Sequence, residues 1–227
     1  MDFYVSLGIT LVIAITVHEF SHAFVADQLG DDLPRRQGRV TLNPLAHLDP
    51  MGSLLFIVSG FGWGRPVLTN PYNFRRRSGP SGDNPIIAGI LNSGDPVRTG
   101  MALVAAAGPF SNFVMALVAA IPIKLGLVNV ISFSGNSIIP SLSYFLLIFI
   151  SVNIGLMLFN LIPIAPLDGF KVALGLLPDQ WADALARLEQ IGPILLLLLI
   201  VGGRFGFDFL GVLIGPARDT LMRLIVG

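Results

Sequence analysis

Two histidines four residues apart, with a glutamate directly after the first, give this sequence its best candidate for chemistry: His18-Glu19-Phe20-Ser21-His22. At 3.6 residues per helical turn, positions four apart share a face, so both imidazoles can turn toward one ion. Glu19 then reaches water on that ion and can serve as its general base. The chemistry expected is hydrolysis. A polar cluster at a membrane edge, bonded to headgroups or neighbouring helices, is the plain alternative for the same residues.

A catalytic zinc usually takes three protein ligands and keeps a fourth position for water. The chain has no cysteine and three histidines, so the third ligand must come from His47 or a carboxylate. The metzincin extension needs Gly and His at positions occupied by Val25 and Gln28, and that pattern fails. Besides Glu19 the only glutamate is Glu189, in a stretch patterned as a half-exposed surface helix. Asp208 stands at helical spacing from Arg204 and reads as half of an ion pair. His47, in the turn-rich run Asn43-Pro44-Leu45-Ala46-His47-Leu48-Asp49-Pro50, reads as a local hydrogen-bonding residue. Asp168 remains. It ends the run Asn160-Leu161-Ile162-Pro163-Ile164-Ala165-Pro166-Leu167-Asp168-Gly169, where an acid beside a long apolar span is expensive unless paired or metal-bound. Pro163 and Pro166 should break the helix there, and such backbone is tolerated at membrane depth only when packed in protein or lining a cavity. Gly169 permits a close approach or a positive φ. A helix-capping aspartate is the alternative for Asp168.

The elements around these residues read as membrane-embedded. Hydrophobic residues make up 53% of the 227 and charged residues 12%, about half the charge of a soluble domain. Net charge is zero and no basic block points to nucleic acid. Four apolar stretches, at residues 3–26, 101–123, 142–167 and 191–215, approach the roughly 20 residues that cross a bilayer. The fourth, interrupted by Gly202, Gly203, Arg204 and Asp208, is either one tilted span or a re-entrant hairpin. Residues 51–63 are too short to cross and read as re-entrant or interfacial. The first stretch has no basic residue before it and is too long for a signal core, so it is expected to stay in the protein.

A polar stretch over residues 27–100 separates the first two spans within a single domain over 1–227. In it, residues 39–42 and 65–69 could pair as short strands, and 79–85 reads as a loop. Arg35, Arg36, Arg39 and Arg98 flank the spans on this side, whereas residues 126–141 carry no charge. Positive residues favour the cytosol. The amino terminus is therefore expected outside it, with the histidine motif at the cytosolic end of the first helix.

With those residues in view, the chain resembles the site-2 protease family of intramembrane zinc metalloproteases. The resemblance rests on His18-Glu19-x-x-His22, on the run from Asn160 to Asp168-Gly169, and on Gly108-Pro109-x-x-Asn112 between them. The segment from Gly38-Arg39 through Asp49-Pro50, and Arg65-Pro66 through Asn70-Pro71, match its shorter bacterial members. The match covers about residues 10–176. It implies His18, His22 and Asp168 as ligands of one Zn2+, Glu19 as base, and Asn160 as the amide that steadies the oxyanion. Asn112 is implied either to order the active-site helices or to make a simple helix–helix hydrogen bond. No PDZ domain fits into residues 126–141, and no CBS module is expected.

The reading is an all-α polytopic membrane protein with about four transmembrane helices and a short re-entrant or β-hairpin region. The expected activity is intramembrane proteolysis by zinc-activated water in a prokaryotic cell membrane, with the site open to the cytosolic side. Expected partners are the bilayer, a transmembrane protein substrate and, as an open alternative, a second copy of the chain. Nucleic acid is not among them. The rivals are an inactive family member that binds membrane proteins, and a metal-binding transporter. The first is disfavoured by the full set of ligands and base, the second by outer span halves nearly free of ionisable residues.

Overall fold

The computed structural model describes residues 2–52, 64–74, 95–128 and 141–227. Among them lie eight α-helices, two 3₁₀ turns (Pro44–Ala46 and Pro71–Asn73) and no strand. Three helices are long and apolar enough to cross a membrane: α1 (Asp2–Gln28), α3 (Pro96–Lys124) and α4 (Leu142–Asn160). A four-residue helix, α2 (Leu33–Arg36), follows α1, and α5 (Asp168–Leu176), α6 (Asp179–Ala186), α7 (Gly192–Arg204) and α8 (Phe209–Val226) complete the chain. The protein is a helical, polytopic membrane protein.

Helix α3 is the axis of the molecule and packs against α1, α4 and α5. Its start is fixed by the Asp95 side chain, which accepts from Val97 N–H, and by Pro96 in the first turn. Its buried face follows a four-residue step, Gly100, Val104, Gly108, Asn112, Ala116 and Ala120. Such small side chains let backbones approach where lipid gives no hydrophobic drive between helices. Helix α1 answers with Ser6, Thr10, Ala14, His18 and His22 on its own buried face. At the far end, Ala116 and Ala120 meet Ile150 and Ile154 of α4 and Ile225 of α8.

Helix α4 stops at Asn160, short of the expected residue 167. Pro163 and Pro166 exclude helix in residues 161–167, and α5 starts afresh at Asp168. Arg98 of α3 holds the other end of α5, donating to the carbonyls of Leu174 and Leu177 and pairing with Asp179. The fourth apolar stretch is two helices, α7 and α8, joined by a turn at residues 205–208. Leu196 and Ile200 of α7 share a cluster with Leu210 and Ile214 of α8 and with Ile162 and Leu167 beside the site. Asp208 caps α8 by accepting from Gly211 N–H at 2.8 Å, and the side chain of Arg204, its expected ion-pair partner, lies outside the described residues.

The β-hairpin expected from residues 39–42 and 65–69 does not form. Among the described residues the pairing is one isolated antiparallel bridge between Leu48 and Gly64. The physical reason is the Arg39 side chain, which occupies the carbonyls of Ala46, Arg65 and Pro66 and ties the two segments together without a ladder. Buried Asp31 similarly ties residues 70–73 to the end of α1, accepting from Asn70 N–H at 2.6 Å and Asn73 Nδ2 at 2.9 Å. The expected re-entrant piece at 51–63, beyond its first two residues, and the loop at 79–85 lie outside the described residues.

Candidate active site

Helix α1 delivers His18 and His22 on the face turned toward α3, and their rings sit 4.6 Å apart between centroids. Helix α5 brings Asp168 in its first turn. The residue before it, Leu167, occupies the cap position, so Asp168 is not a capping aspartate. His18 Nε2 lies 3.1 Å and His22 Nε2 3.3 Å from Asp168 Oδ2, and the two Nε2 atoms are 3.0 Å apart. The sequence-predicted ligands thus converge on one point between α1 and α5.

The remaining ring nitrogens decide what can occupy that point. His18 Nδ1–H donates to Asn112 Oδ1 at 2.6 Å, and His22 Nδ1–H donates to the Val104 carbonyl at 2.6 Å. In a neutral imidazole with its proton on Nδ1, Nε2 carries a bare lone pair. Two such lone pairs therefore face a carboxylate oxygen that is itself buried and without a hydrogen-bond partner. Three acceptors with no proton among them repel unless a cation sits at their centre. A tetrahedral zinc with arms of about 2.0–2.1 Å holds its ligand atoms roughly 3.3 Å apart, close to the observed triangle. The donor set of two imidazoles and one carboxylate suits zinc and leaves a fourth position open.

Two glycines make the room. A Cβ on Gly108 would stand 2.4 Å from His22 Nε2 and 2.6 Å from His18 Nε2, so any side chain there would enter the ligand triangle. A Cβ on Gly169 would stand 2.2 Å from the Leu161 carbonyl oxygen. Of the two roles foreseen for Gly169, close approach applies. Its φ is not positive.

Glu19, half-buried, points toward a different neighbourhood. Its Oε1 lies 3.6 Å from where a Cβ on Gly64 would stand, and the His47 carbonyl oxygen lies 3.3 Å from the same point. The segment there is held by Arg39, whose guanidinium pKa is lowered by burial while the Glu19 carboxylate opposes that shift. His47 is fully buried and donates from Nε2–H to the Thr41 carbonyl at 2.7 Å, the local role expected for it. Asn160 ends α4 with one Nδ2 hydrogen bonded to the Leu156 carbonyl at 3.0 Å. Glu189 is exposed beyond α6, away from the cluster.

Comparison with known proteins finds relatives named as zinc metalloproteases. The chain is 36% identical over 222 residues to a Bacillus subtilis protein named "Putative zinc metalloprotease YwhC", covering 96% of this chain and 90% of that relative. The chain belongs to the site-2 protease family. Two further relatives, both named "Putative zinc metalloprotease Rip2", are 27% identical. The one from Mycolicibacterium smegmatis matches 84% of this chain and 64% of its own length. The one from Mycobacterium tuberculosis matches 88% and 68%. No protein-family model matches the chain, and no solved structure does.

Within this member of the site-2 protease family, some site residues lay outside the reading of the sequence. The Val104 carbonyl carries no sequence signal. Gly108 had one, through its place four residues before Asn112, but the reason for it needed the position of both imidazoles. Asn153, fully buried and bonded to Asn112, was detectable as an isolated amide in the apolar span of α4. Asn112 itself makes hydrogen bonds to His18 on α1 and to Asn153 on α4.

Proposed function

We propose that this chain is an intramembrane zinc metalloendopeptidase that hydrolyses peptide bonds of transmembrane protein substrates. One observation carries the reading: two bare imidazole nitrogens, from the residues that flank Glu19 on α1, and a buried carboxylate oxygen converge inside a helical membrane protein. His18, His22 and Asp168 are the ligands of one ion per chain in this reading. Zinc bound there supplies a Lewis acid that polarises a carbonyl and brings the pKa of water toward about 7.

The chain's own residues do the rest. The Glu19 carboxylate takes a proton from the attacking water and delivers it to the departing amide nitrogen. Asn160 has a second Nδ2 hydrogen beside the one held by Leu156, and donates it to the carbonyl oxygen as charge develops. The Leu156 bond fixes the amide so that little reorganisation is needed. A substrate helix must unwind locally, because its peptide groups are otherwise bonded within the helix. Arg35, Arg36, Arg39 and Arg98 support a cytosolic side for this end of the spans by the positive-inside rule.

The experiment is zinc per chain in detergent-purified protein prepared without chelators, paired with cleavage of a single-span reporter in proteoliposomes. Near one zinc, with cleavage abolished in Glu19→Gln and zinc abolished in Asp168→Ala, supports the reading. A protein that takes up no zinc even after addition, or a Glu19→Gln variant that still cuts, overturns it.

A further inference from the structure

An asparagine side chain has two ends of nearly equal shape, so Asn112 could face His18 with its oxygen or with its NH2. The choice matters to the site. If the NH2 faced His18 Nδ1, that nitrogen would have to accept, and the ring proton would move to Nε2. Nε2–H would then point at Asp168 Oδ2, 3.1 Å away, and could no longer offer a lone pair to a metal. Asn112 lies fully buried.

The orientation is enforced from α4. Asn112 Nδ2 donates to Asn153 Oδ1 at 2.9 Å, and Asn153 Nδ2 donates to the Phe149 carbonyl at 2.9 Å. A backbone carbonyl accepts and never donates, so it dictates which end of Asn153 faces it. Asn153 must then show its oxygen to Asn112, and Asn112 must show its oxygen to His18. The chain of three bonds runs one way only, from the imidazole N–H to a peptide oxygen two side chains off.

We infer that Asn153 is a positioning residue of the metal site, fixing the Asn112 amide and through it the His18 tautomer that leaves Nε2 bare. This deepens the zinc reading and rests on His18 Nε2 being a ligand atom. His22 supplies an internal control. Its Nδ1–H goes straight to the Val104 carbonyl at 2.6 Å and needs no relay.

The test uses the full chain in detergent, labelled with 15N-histidine. Only three imidazoles contribute signals, and NMR reads their tautomers in metal-free protein at a pH where they are neutral. Zinc affinity is measured in parallel by chelator competition. In the wild type His18 and His22 are expected with the proton on Nδ1. Asn153→Leu removes the acceptor at nearly constant volume and should shift His18 toward the other tautomer, leave His22 unchanged and weaken zinc at least tenfold. Asn153→Ser, whose hydroxyl no longer reaches Asn112, should do the same and serves if the leucine variant does not fold. Asn153→Asp, protonated in this buried place, would donate its O–H to the Phe149 carbonyl and still show an oxygen to Asn112, and should stay close to wild type in both readouts. Ile150→Val, one helical turn away and also fully buried, should change neither.

An unchanged His18 tautomer in both Asn153→Leu and Asn153→Ser would overturn the inference. So would equal zinc loss in Ile150→Val, because packing alone would then account for the effect. Wild-type protein with the expected tautomers and no zinc uptake would instead sink the zinc reading, while the tautomer shift still decides the relay.

Discussion

The two sides of this site are built from different materials. On the ligand side, His18, His22 and their supports all belong to α1, α3 and α4, and the hydrogen bonds end on peptide oxygens within those helices. On the Glu19 side, the neighbours come from irregular chain, the segments around His47 and Gly64, gathered by one guanidinium. The difference separates two tasks. Holding an ion demands fixed lone pairs to a few tenths of an ångström, which helices provide. Admitting a peptide and moving its proton demands a surface that can rearrange, which a loop provides.

If that division is real, damage to each side should read out differently. The largest effect expected is Asp168→Ala, taking zinc from near one per chain to near none by elemental analysis, with cleavage lost alongside. Glu19→Gln should keep full zinc and lose about 10²–10⁴ in cleavage rate. Zinc lost in that variant would break the comparison at its centre. Gly108→Ala drives a methyl between the two Nε2 atoms, so chelator competition should show at least a tenfold weaker site. Overpacking of this kind costs about 1–3 kcal/mol, a loss that thermal unfolding would register. The smallest effect is expected from Arg39→Lys. An ammonium cannot span three carbonyls as the planar fork does, so zinc should be retained while cleavage falls several-fold and limited proteolysis between residues 39 and 66 speeds up. Zinc lost together with cleavage in that variant would show that the two sides are one mechanical unit.

How legible this was in the sequence follows the same division. His18 and His22 were readable because a helix converts a spacing of four into a shared face. Asp168 was readable because an acid after an apolar run has few reasons to exist. The break after Asn160 followed from two prolines, although the end of the helix lay earlier than expected. The β-hairpin was misread for a particular reason: residues 39–42 and 65–69 look like strands, yet Arg39 sits in one of them and spends its guanidinium on the carbonyls a ladder would have used. The fourth span was left open between one helix and two because glycine tolerates both, and only its partners in space chose two. Asn153 stayed unnoticed since its meaning depends on Asn112, forty-one residues away in the chain and 2.9 Å away in the fold.

Both histidines lean on neutral oxygens, an amide for His18 and a peptide carbonyl for His22, where a carboxylate could have served. In a medium of low permittivity that choice sets an electrical balance. At the triangle itself the fixed formal charge is that of Asp168, and the oxygens behind the two imidazoles add none. A carboxylate in place of either oxygen would add a second buried charge, and the penalty for burying such a charge amounts to several kcal/mol per ion even after relaxation. The uncharged supports thereby orient both rings without adding to the charge that the apolar surroundings must carry.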